Sequence, residues 1–218
     1  MRNLFLLLFS LQLISCGFDK SYISSVSSIG EKTHGPVRVI SSPKVSIHIG
    51  PRNDIKTGEF NYVILPVLPV GGNSDEMFAH QQKAGRFVVQ LSLFSHDDDL
   101  SLNFTDITLN IMQTNYKVID VERNPYAYYS NSQARNSGVR EVMCPESQQF
   151  SSGLPESPIN LLNNGMWECY DLVFSVDTPS PRMKFQMEVD VKDNKSSLNH
   201  TFKVPFEAYE WGHSDSFP

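Results

Sequence analysis

The sequence predicts an all-β fold, an antiparallel β-sandwich of immunoglobulin-like architecture with one or two short helices in its connections. Two observations lead to this prediction. Apolar and polar residues alternate over several short stretches, and clusters of turn-forming residues separate those stretches. Trp167 lies only two residues before Cys169, which is not the spacing of an antibody domain, so the prediction concerns the architecture alone.

The first predicted strands are short and lie near the start of the folded part. Residues 37–40 and 45–49 are β-type runs on either side of a Ser-Ser-Pro turn. Residues 60–70 are rich in Val, Ile and Leu, but proline cannot donate to a strand ladder. Pro66 therefore places this strand at a sheet edge or ends it.

A helix is predicted over residues 73–85. Asn73 is a suitable N-cap, Glu76 follows it three residues later, and Gly85 is a suitable C-terminal residue. This is the best helical pattern in the chain.

The clearest β pattern begins at Phe87. Residues 87–94 alternate, a His-Asp-Asp-Asp turn follows at 96–99, and the return strand is apolar at 100, 102 and 104. The apolar phase then slips by one, to 107, 109 and 111. Because such a slip turns later side chains to the opposite face, we expect a β-bulge near Thr105 and Asp106. Residues 116–121 make another strand.

Residues 122–165 have little periodicity, apart from a brief helix predicted after Ser157-Pro158. Irregular segments of this length are uncommon in compact domains and are often functional.

A β-hairpin is predicted near the C-terminus, after a strand over residues 166–176. Residues 182–191 and 202–208 alternate strictly between apolar and polar, which is typical of antiparallel strands with one wet face. Pro205 falls on the wet face, and it predicts that the last strand is an edge strand.

The N-terminus has the pattern of a secretory signal. Arg2 precedes an apolar run over residues 4–14, which at about 11 residues is too short to span a bilayer. The residues Leu13-Ile14-Ser15-Cys16 resemble the lipobox of bacterial lipoproteins. Plain secretion is the alternative, but Leu13 does not suit the position three residues before an ordinary cleavage site.

The resemblance implies that cleavage leaves Cys16 as the mature N-terminus, carrying acyl chains such as palmitate. Two or more chains anchor a protein stably, whereas one holds it only marginally. Gly17, in place of an aspartate that retains enteric-type lipoproteins in the inner membrane, implies the outer membrane.

Four segments are therefore expected. Residues 1–15 are the cleaved signal peptide, residues 16–36 are the lipidated Cys16 with a flexible Ser-rich tether, residues 37–210 are the β-sandwich domain, and residues 211–218 are a C-terminal tail.

Charge and cysteine content narrow the function. The net charge of −6, without a run of Lys or Arg, argues against nucleic acid as a partner. Besides Cys16 there are two cysteines, Cys144 and Cys169. In an oxidising compartment the pair is expected to form a disulfide, and two separate buried thiols are the alternative.

No motif in the sequence indicates an enzyme, a cofactor or a zinc site. The six histidines are scattered, and GxSxG, GxxxxGK[ST] and CxxC patterns do not occur. The consecutive Asp97, Asp98 and Asp99 are a Ca²⁺ candidate, but Ca²⁺ takes 6–8 oxygen ligands. Three adjacent carboxylates in a tight turn splay apart, and a solvated turn is the competing interpretation.

Tyr126, Tyr128 and Tyr129 are the predicted partner-binding residues. Tyrosines on a loop bring a large contact area at low entropic cost, so they suit a protein or glycan partner. The alternative is that they cover an open end of the sandwich.

The expected function is that of a lipid-anchored envelope protein whose non-catalytic β-sandwich binds another envelope protein or a glycan in an assembly, adhesion or scaffold role. Two alternatives stay open. One is a carrier or sensor of a small hydrophobic or sugar ligand, which needs an apolar cavity. The other is an envelope enzyme whose residues come from distant loops.

Overall fold

The fold is all-β and antiparallel, with a sandwich-like arrangement. The structure, a computed structural model, describes residues 18–29, 39–53, 55–63, 69–77, 84–123 and 153–217. In chain order its strands are β1 (Phe18–Ile29), β2 (Val39–Ser41), β3 (Val45–Pro51), β4 (Ile55–Val63), β5 (Pro69–Met77), β6 (Phe87–Ser95), β7 (Leu100–Leu102), β8 (Thr108–Ile111), β9 (Thr114–Arg123), β10 (Ile159–Asn160), β11 (Glu168–Phe174), β12 (Phe185–Asp193) and β13 (Asn199–Phe217). In this part of the chain, no helix is long and apolar enough to cross a membrane.

The strands form two sheets that share β9. The first sheet has the order β2-β3-β6-β11-β9, and the second has the order β9-β8-β12-β13-β1-β4-β5, with β7 beside β12 and β10 beside β7. The start of β9 pairs with β8, and its later half pairs with β11. At the change of partner, Val173 pairs with Asp120 and Phe174 with Val118, so Ile119 bulges out. A bulge bends a strand, which lets β9 pass from one sheet to the other.

The core lies between the two sheets, and the predicted inward-facing residues of β6, β12 and the first half of β13 belong to it. The core residues on β6, β11, β12 and β13 include Phe87, Val89, Leu91, Leu93, Tyr170, Leu172, Phe174, Met187, Val189, Val191, Val204 and Phe206. Aromatic rings pack closely inside it. The rings of Phe185 and Phe206 stack with centroids 4.7 Å apart, and Phe87 meets Phe185 edge-on at 5.9 Å.

The apolar phase slip after β7 is real, but its cause differs from the predicted bulge. A 3-10 turn over Phe104–Asp106 separates β7 from β8, and both strands pair with β12. Residues 103–107 therefore lie opposite Val189 and Asp190 alone. Five residues on the β7–β8 side thus lie opposite two residues of β12, a surplus of three. Because three is an odd number, the inward-facing and outward-facing positions exchange between β7 and β8.

Four strands extend beyond the sandwich as an arm, which consists of β1, β4, β5 and the C-terminal half of β13. The first half of β13 pairs with β12, and from Phe206 to Phe217 it pairs with β1. The other side of β1 pairs with β4, and β4 pairs with β5. The expected flexible tether over 16–36 and the expected tail over 211–218 are therefore wrong for Phe18–Ile29 and for the residues up to Phe217, which are paired strands.

Three further local predictions are wrong because long-range pairing overrides local signals. Residues 73–77 of the predicted helix belong to β5, which pairs with β4. Ile159, in the other predicted helix, pairs with Leu102. β13 is an interior strand, although Pro205 occupies the last position before β1 begins to pair, where its missing N–H costs no ladder bond.

Candidate functional site

Three turns meet at the end of the sandwich that lies away from the arm, and Lys44 connects them. Its Nζ lies 2.7 Å from Asp193 Oδ2, in the β12–β13 turn, and 2.9 Å from Asp97 Oδ2, in the β6–β7 turn. Hydrogen bonding to Asp193 and to Asp97 raises the pKa of Lys44. The same ammonium lowers the pKa of both carboxyl groups below the usual range of aspartate. This ion triad fixes the turns relative to one another.

Asp193 also organises its own turn. Its Oδ1 accepts the backbone N–H groups of Lys195 (2.9 Å) and Ser196 (3.1 Å), and its Oδ2 accepts the Ser196 hydroxyl (2.7 Å). The hydrogen bonds from Ser196 come second to that from Lys44 in lowering the pKa of Asp193. These contacts hold Ser197 at a φ of 56°, in the left-handed region.

Two of the three aspartates proposed as a Ca²⁺ candidate have carboxylates that bond to other groups of the protein. Asp97 pairs with Lys44 and accepts the N–H of Asp99 at 3.2 Å, while Asp98 Oδ1 accepts the N–H of Asn163 at 3.3 Å. Across residues 84–123, 153–217 and the other described ranges, no group of three or more His, Cys, Asp or Glu side chains converges in a way that suits a metal ion. The geometry gives these carboxylates a role in holding turns and loops.

Beside the triad lies a partly exposed group that we call the distal aromatic surface, made of Phe94, His96 and Trp167. The ring centroid of Phe94 is 5.0 Å from that of His96 and 5.6 Å from that of Trp167. His96 Nε2 lies 3.2 Å from Ser46 Oγ on the neighbouring β3. The alternation of β6 explains the position of Phe94, since Leu93 enters the core and its neighbour must face outward.

The loop that carries Trp167 is fixed by hydrogen bonds at both ends. Asn163 Nδ2 donates to the His96 carbonyl at 3.4 Å, and the N–H of Leu162 donates to Glu168 Oε1 at 3.1 Å. The Tyr170 hydroxyl in turn donates a hydrogen bond to Glu168 Oε2 at 2.6 Å. Leu162 and Met166, on the same loop, are 47% and 45% exposed. The result is an apolar surface on a well-supported loop.

The outer face of the first sheet carries polar side chains that are nearly inaccessible to solvent. The buried polar or sulfur-containing residues on it include Ser46, His48, Gln90, Ser92, Cys169 and Asp171. Arg52 Nη2 lies 2.5 Å from Asp171 Oδ2, and Gln90 Nε2 donates to Asp171 Oδ1 at 3.3 Å. The sequence analysis did not predict this cluster. The sequence does contain one indication of this cluster: Asp171 is an acidic residue between Tyr170 and Leu172, in an otherwise apolar run of the strand.

Cys169 is the only predicted disulfide residue in the described part of the chain. It lies opposite Ser92, whose Oγ is 3.0 Å from the Cys169 Sγ. Cys144, Cys16 and the partner-binding candidates Tyr126, Tyr128 and Tyr129 lie outside the described residues. The pairing of Cys144 with Cys169 stays a prediction.

The distal aromatic surface and the N-terminal end of β1 lie at opposite ends of β13. β13 starts at Asn199, directly after the turn that holds Asp193, and it ends at Phe217, opposite Phe18. Its 19 residues span up to about 60 Å when fully extended. Phe18, at this end, follows Cys16 by two positions in the sequence.

A scan against protein-family models gives no match for this chain, and a comparison with curated proteins finds no similar protein.

Proposed function

We propose that this protein is a lipid-anchored, non-catalytic binding protein of the bacterial cell envelope. Cys16 carries the lipid in the outer membrane, and the distal aromatic surface binds another envelope protein or a glycan. The single observation that supports the proposal is that the distal aromatic surface lies at one end of β13 and Phe18, which follows Cys16 by two residues in the sequence, lies at the other. An anchor at one end then leaves the other end directed away from the membrane.

The composition of the distal surface suits binding. Phe94, His96 and Trp167 present aromatic rings, and Leu162 and Met166 add exposed apolar area. Aromatic residues contribute most to binding energy where a polar rim surrounds them and excludes water. Asn163 and Asp98 supply polar groups beside the rings.

The charged groups nearby support a structural role over catalysis. Asp97 and Asp193 share the ammonium group of Lys44, and the three side chains tie turns together. A ligand carrier would need an apolar cavity. The close packing of Phe87, Phe185 and Phe206 inside the sandwich counts against that alternative.

The anchor is tested by metabolic labelling of cells with a palmitate analogue. We expect the wild-type chain to be labelled and to have an acylated cysteine at its mature N-terminus by mass spectrometry. Cys16→Ser should abolish the label. An unlabelled wild-type chain, or a chain cleaved at another residue, would refute the anchor.

The binding surface is tested with a photo-crosslinking amino acid at Trp167 in intact cells. We expect a discrete adduct, to be identified as protein or glycan, that weakens when Phe94→Ala is added. Met112 is the matched control, since it is 73% exposed but lies on the β8–β9 turn. Equal adducts from both positions would contradict a specific surface.

A further inference from the structure

The loop that carries Trp167 contains an asparagine directly followed by a glycine, Asn164 and Gly165. Both residues are exposed, and Gly165 has a φ of 74°, in the left-handed region that glycine adopts readily. Apart from the chain neighbours of Gly165, no atom of the described residues lies within 4 Å of the place where a Cβ would stand. The backbone at Gly165 is therefore open to water, with no side chain of its own to shield it.

The side chain of Asn164 folds back along this open backbone. Its Oδ1 accepts the N–H of Met166 at 3.0 Å, and this bond spans Gly165. The carbonyl carbon Cγ of Asn164 therefore lies beside the peptide that links Asn164 to Gly165. Among the described residues, no acceptor takes the N–H of Gly165. A nucleophilic nitrogen and an amide carbon are thus next to each other on an exposed turn.

These two groups are the reactants of asparagine deamidation. The main-chain nitrogen of Gly165 forms a bond to Asn164 Cγ. The bond from Cγ to Nδ2 breaks, and Nδ2 leaves as ammonia with the proton that the Gly165 nitrogen gives up. Water then opens the cyclic imide at either carbonyl, which leaves aspartate or isoaspartate. During the attack negative charge develops on Oδ1, where the N–H of Met166 donates at a distance that suits the stabilisation of an oxyanion.

We propose that Asn164 is a site of spontaneous deamidation, and that this modification limits the lifetime of the distal aromatic surface. The second half of the inference rests on the proposed function. Isoaspartate adds a carbon to the main chain between Asn163, whose side chain is fixed by a hydrogen bond, and Trp167. Either product also adds a negative charge to a loop that already bonds to the carboxylates of Asp98 and Glu168. Both changes weaken the support of Trp167.

Asn163 is the internal comparison for this reaction. It is also exposed and it precedes Asn164 directly, but its Nδ2 donates to the His96 carbonyl at 3.4 Å. The nitrogen that would attack its Cγ belongs to Asn164, which carries a Cβ that hinders the approach. Asn163 should therefore keep its amide under conditions that convert Asn164.

The test follows the full chain in cells after protein synthesis has been stopped. Peptide mass spectrometry of successive samples measures the conversion of amide to acid at Asn164 and Asn163. In parallel, the adduct yield of the photo-crosslinking amino acid at Trp167 measures the surface.

Two variants block the reaction in different ways. Asn164→Gln has a longer side chain that would have to close a larger ring. Gly165→Asn adds a Cβ beside the attacking nitrogen, while asparagine tolerates the left-handed backbone better than other residues with a Cβ. The second variant keeps the test decisive if the first one changes the loop.

We expect Asn164 to convert roughly tenfold faster than Asn163, which corresponds to about 1.4 kcal/mol in the barrier, and both variants to slow conversion at residue 164 by a similar factor. The adduct yield should fall with chain age in the wild type and hold in both variants. Conversion of Asn164 no faster than that of Asn163 overturns the site. Conversion of Asn164 without loss of adduct overturns its effect on the surface, whereas conversion with no adduct at any age supports the site and refutes the proposed binding surface.

Discussion

Lys44 Nζ lies 2.7 Å from Asp193 Oδ2, although the two residues are 149 positions apart in the chain. The contact joins the turn before β3 to the turn before β13, and Asp97 adds the turn after β6. The distal end of the sandwich is therefore held by side chains as well as by strand pairing.

The first prediction concerns the pH dependence of this contact. The pKa of Asp193 is lowered in the folded state, so its stabilising effect is present above the unfolded pKa of about 3.9 and is lost as the pH falls through the folded value. The pKa of Lys44 is raised in the folded state. The stabilisation that Lys44 contributes is therefore present below its unfolded pKa of about 10.4, and it is lost only as the pH rises above that value. Asp193→Asn should lower the Tm by several degrees at pH 7, and this difference should shrink below pH ~4.

Asp190→Asn is the matched control, because Asp190 lies on the same strand and accepts a hydrogen bond from Thr201 at the surface. Its effect on the free energy of unfolding should stay within about 0.5 kcal/mol. A difference for Asp193→Asn that is constant from pH 7 to pH 2 would contradict the electrostatic explanation.

The second prediction concerns Arg52 and Asp171. The Asp171 side chain is 6% exposed, so removal of its guanidinium partner leaves a buried carboxylate with less compensation. Arg52→Met should destabilise the fold by roughly 3 kcal/mol in chemical denaturation. Asp171→Asn in the Arg52→Met background should recover part of this loss, because the uncompensated charge is removed. Additive effects of the two substitutions would show that the pair is not coupled.

The third prediction concerns the β8–β9 turn. Met112 and Gln113 have φ values of 49° and 67°, which matches a type I′ turn but strains residues that carry a Cβ. The double substitution Met112→Asn, Gln113→Gly should stabilise the protein by about 1 kcal/mol and raise the Tm by ~2–4 °C. Met112→Ala, which keeps the strain, should leave the Tm nearly unchanged. A comparable rise for Met112→Ala would attribute the effect to the loss of the exposed methionine.

The fourth prediction concerns the proposed bridge between Cys144 and Cys169. The oxidised chain should resist alkylation at both cysteines until a reductant is added, as read by peptide mass spectrometry. Cys144→Ser should lower the free energy of unfolding by about 3.5 kcal/mol on the chain-entropy model for a loop of 26 residues. Wild-type protein that shows the same stability with and without reductant would argue for two separate thiols.

The sandwich was readable from the sequence because its strands obey strict local alternation. The β12–β13 hairpin joins two such strands by one turn, and Phe185, Met187 and Val189 reach the core as predicted. The phase slip after Leu102 was readable too. Its 3-10 turn was not, because a slip of one position is produced equally by one surplus residue or by three.

The arm was not readable because its strands have no such alternation. β1 is rich in serine, and the end of β13 that pairs with it has the sequence Gly-His-Ser-Asp-Ser-Phe. Only partners that lie far away in the chain, on both sides of β1, make these residues extended. The distal aromatic surface was missed for the same reason, since Phe94 and Trp167 become neighbours only through the pairing of β6 with β11.

The pairing of β1 along β13 also determines how the protein bears mechanical load. Tension applied to the N-terminal end of β1 acts along the strand axis, so it shears the hydrogen bonds to β13 and β4 collectively instead of unzipping them one by one. Because β13 continues into the pairing with β12, that tension passes directly into the packed core. The protein should therefore resist extension when force is applied to the N-terminal end of β1.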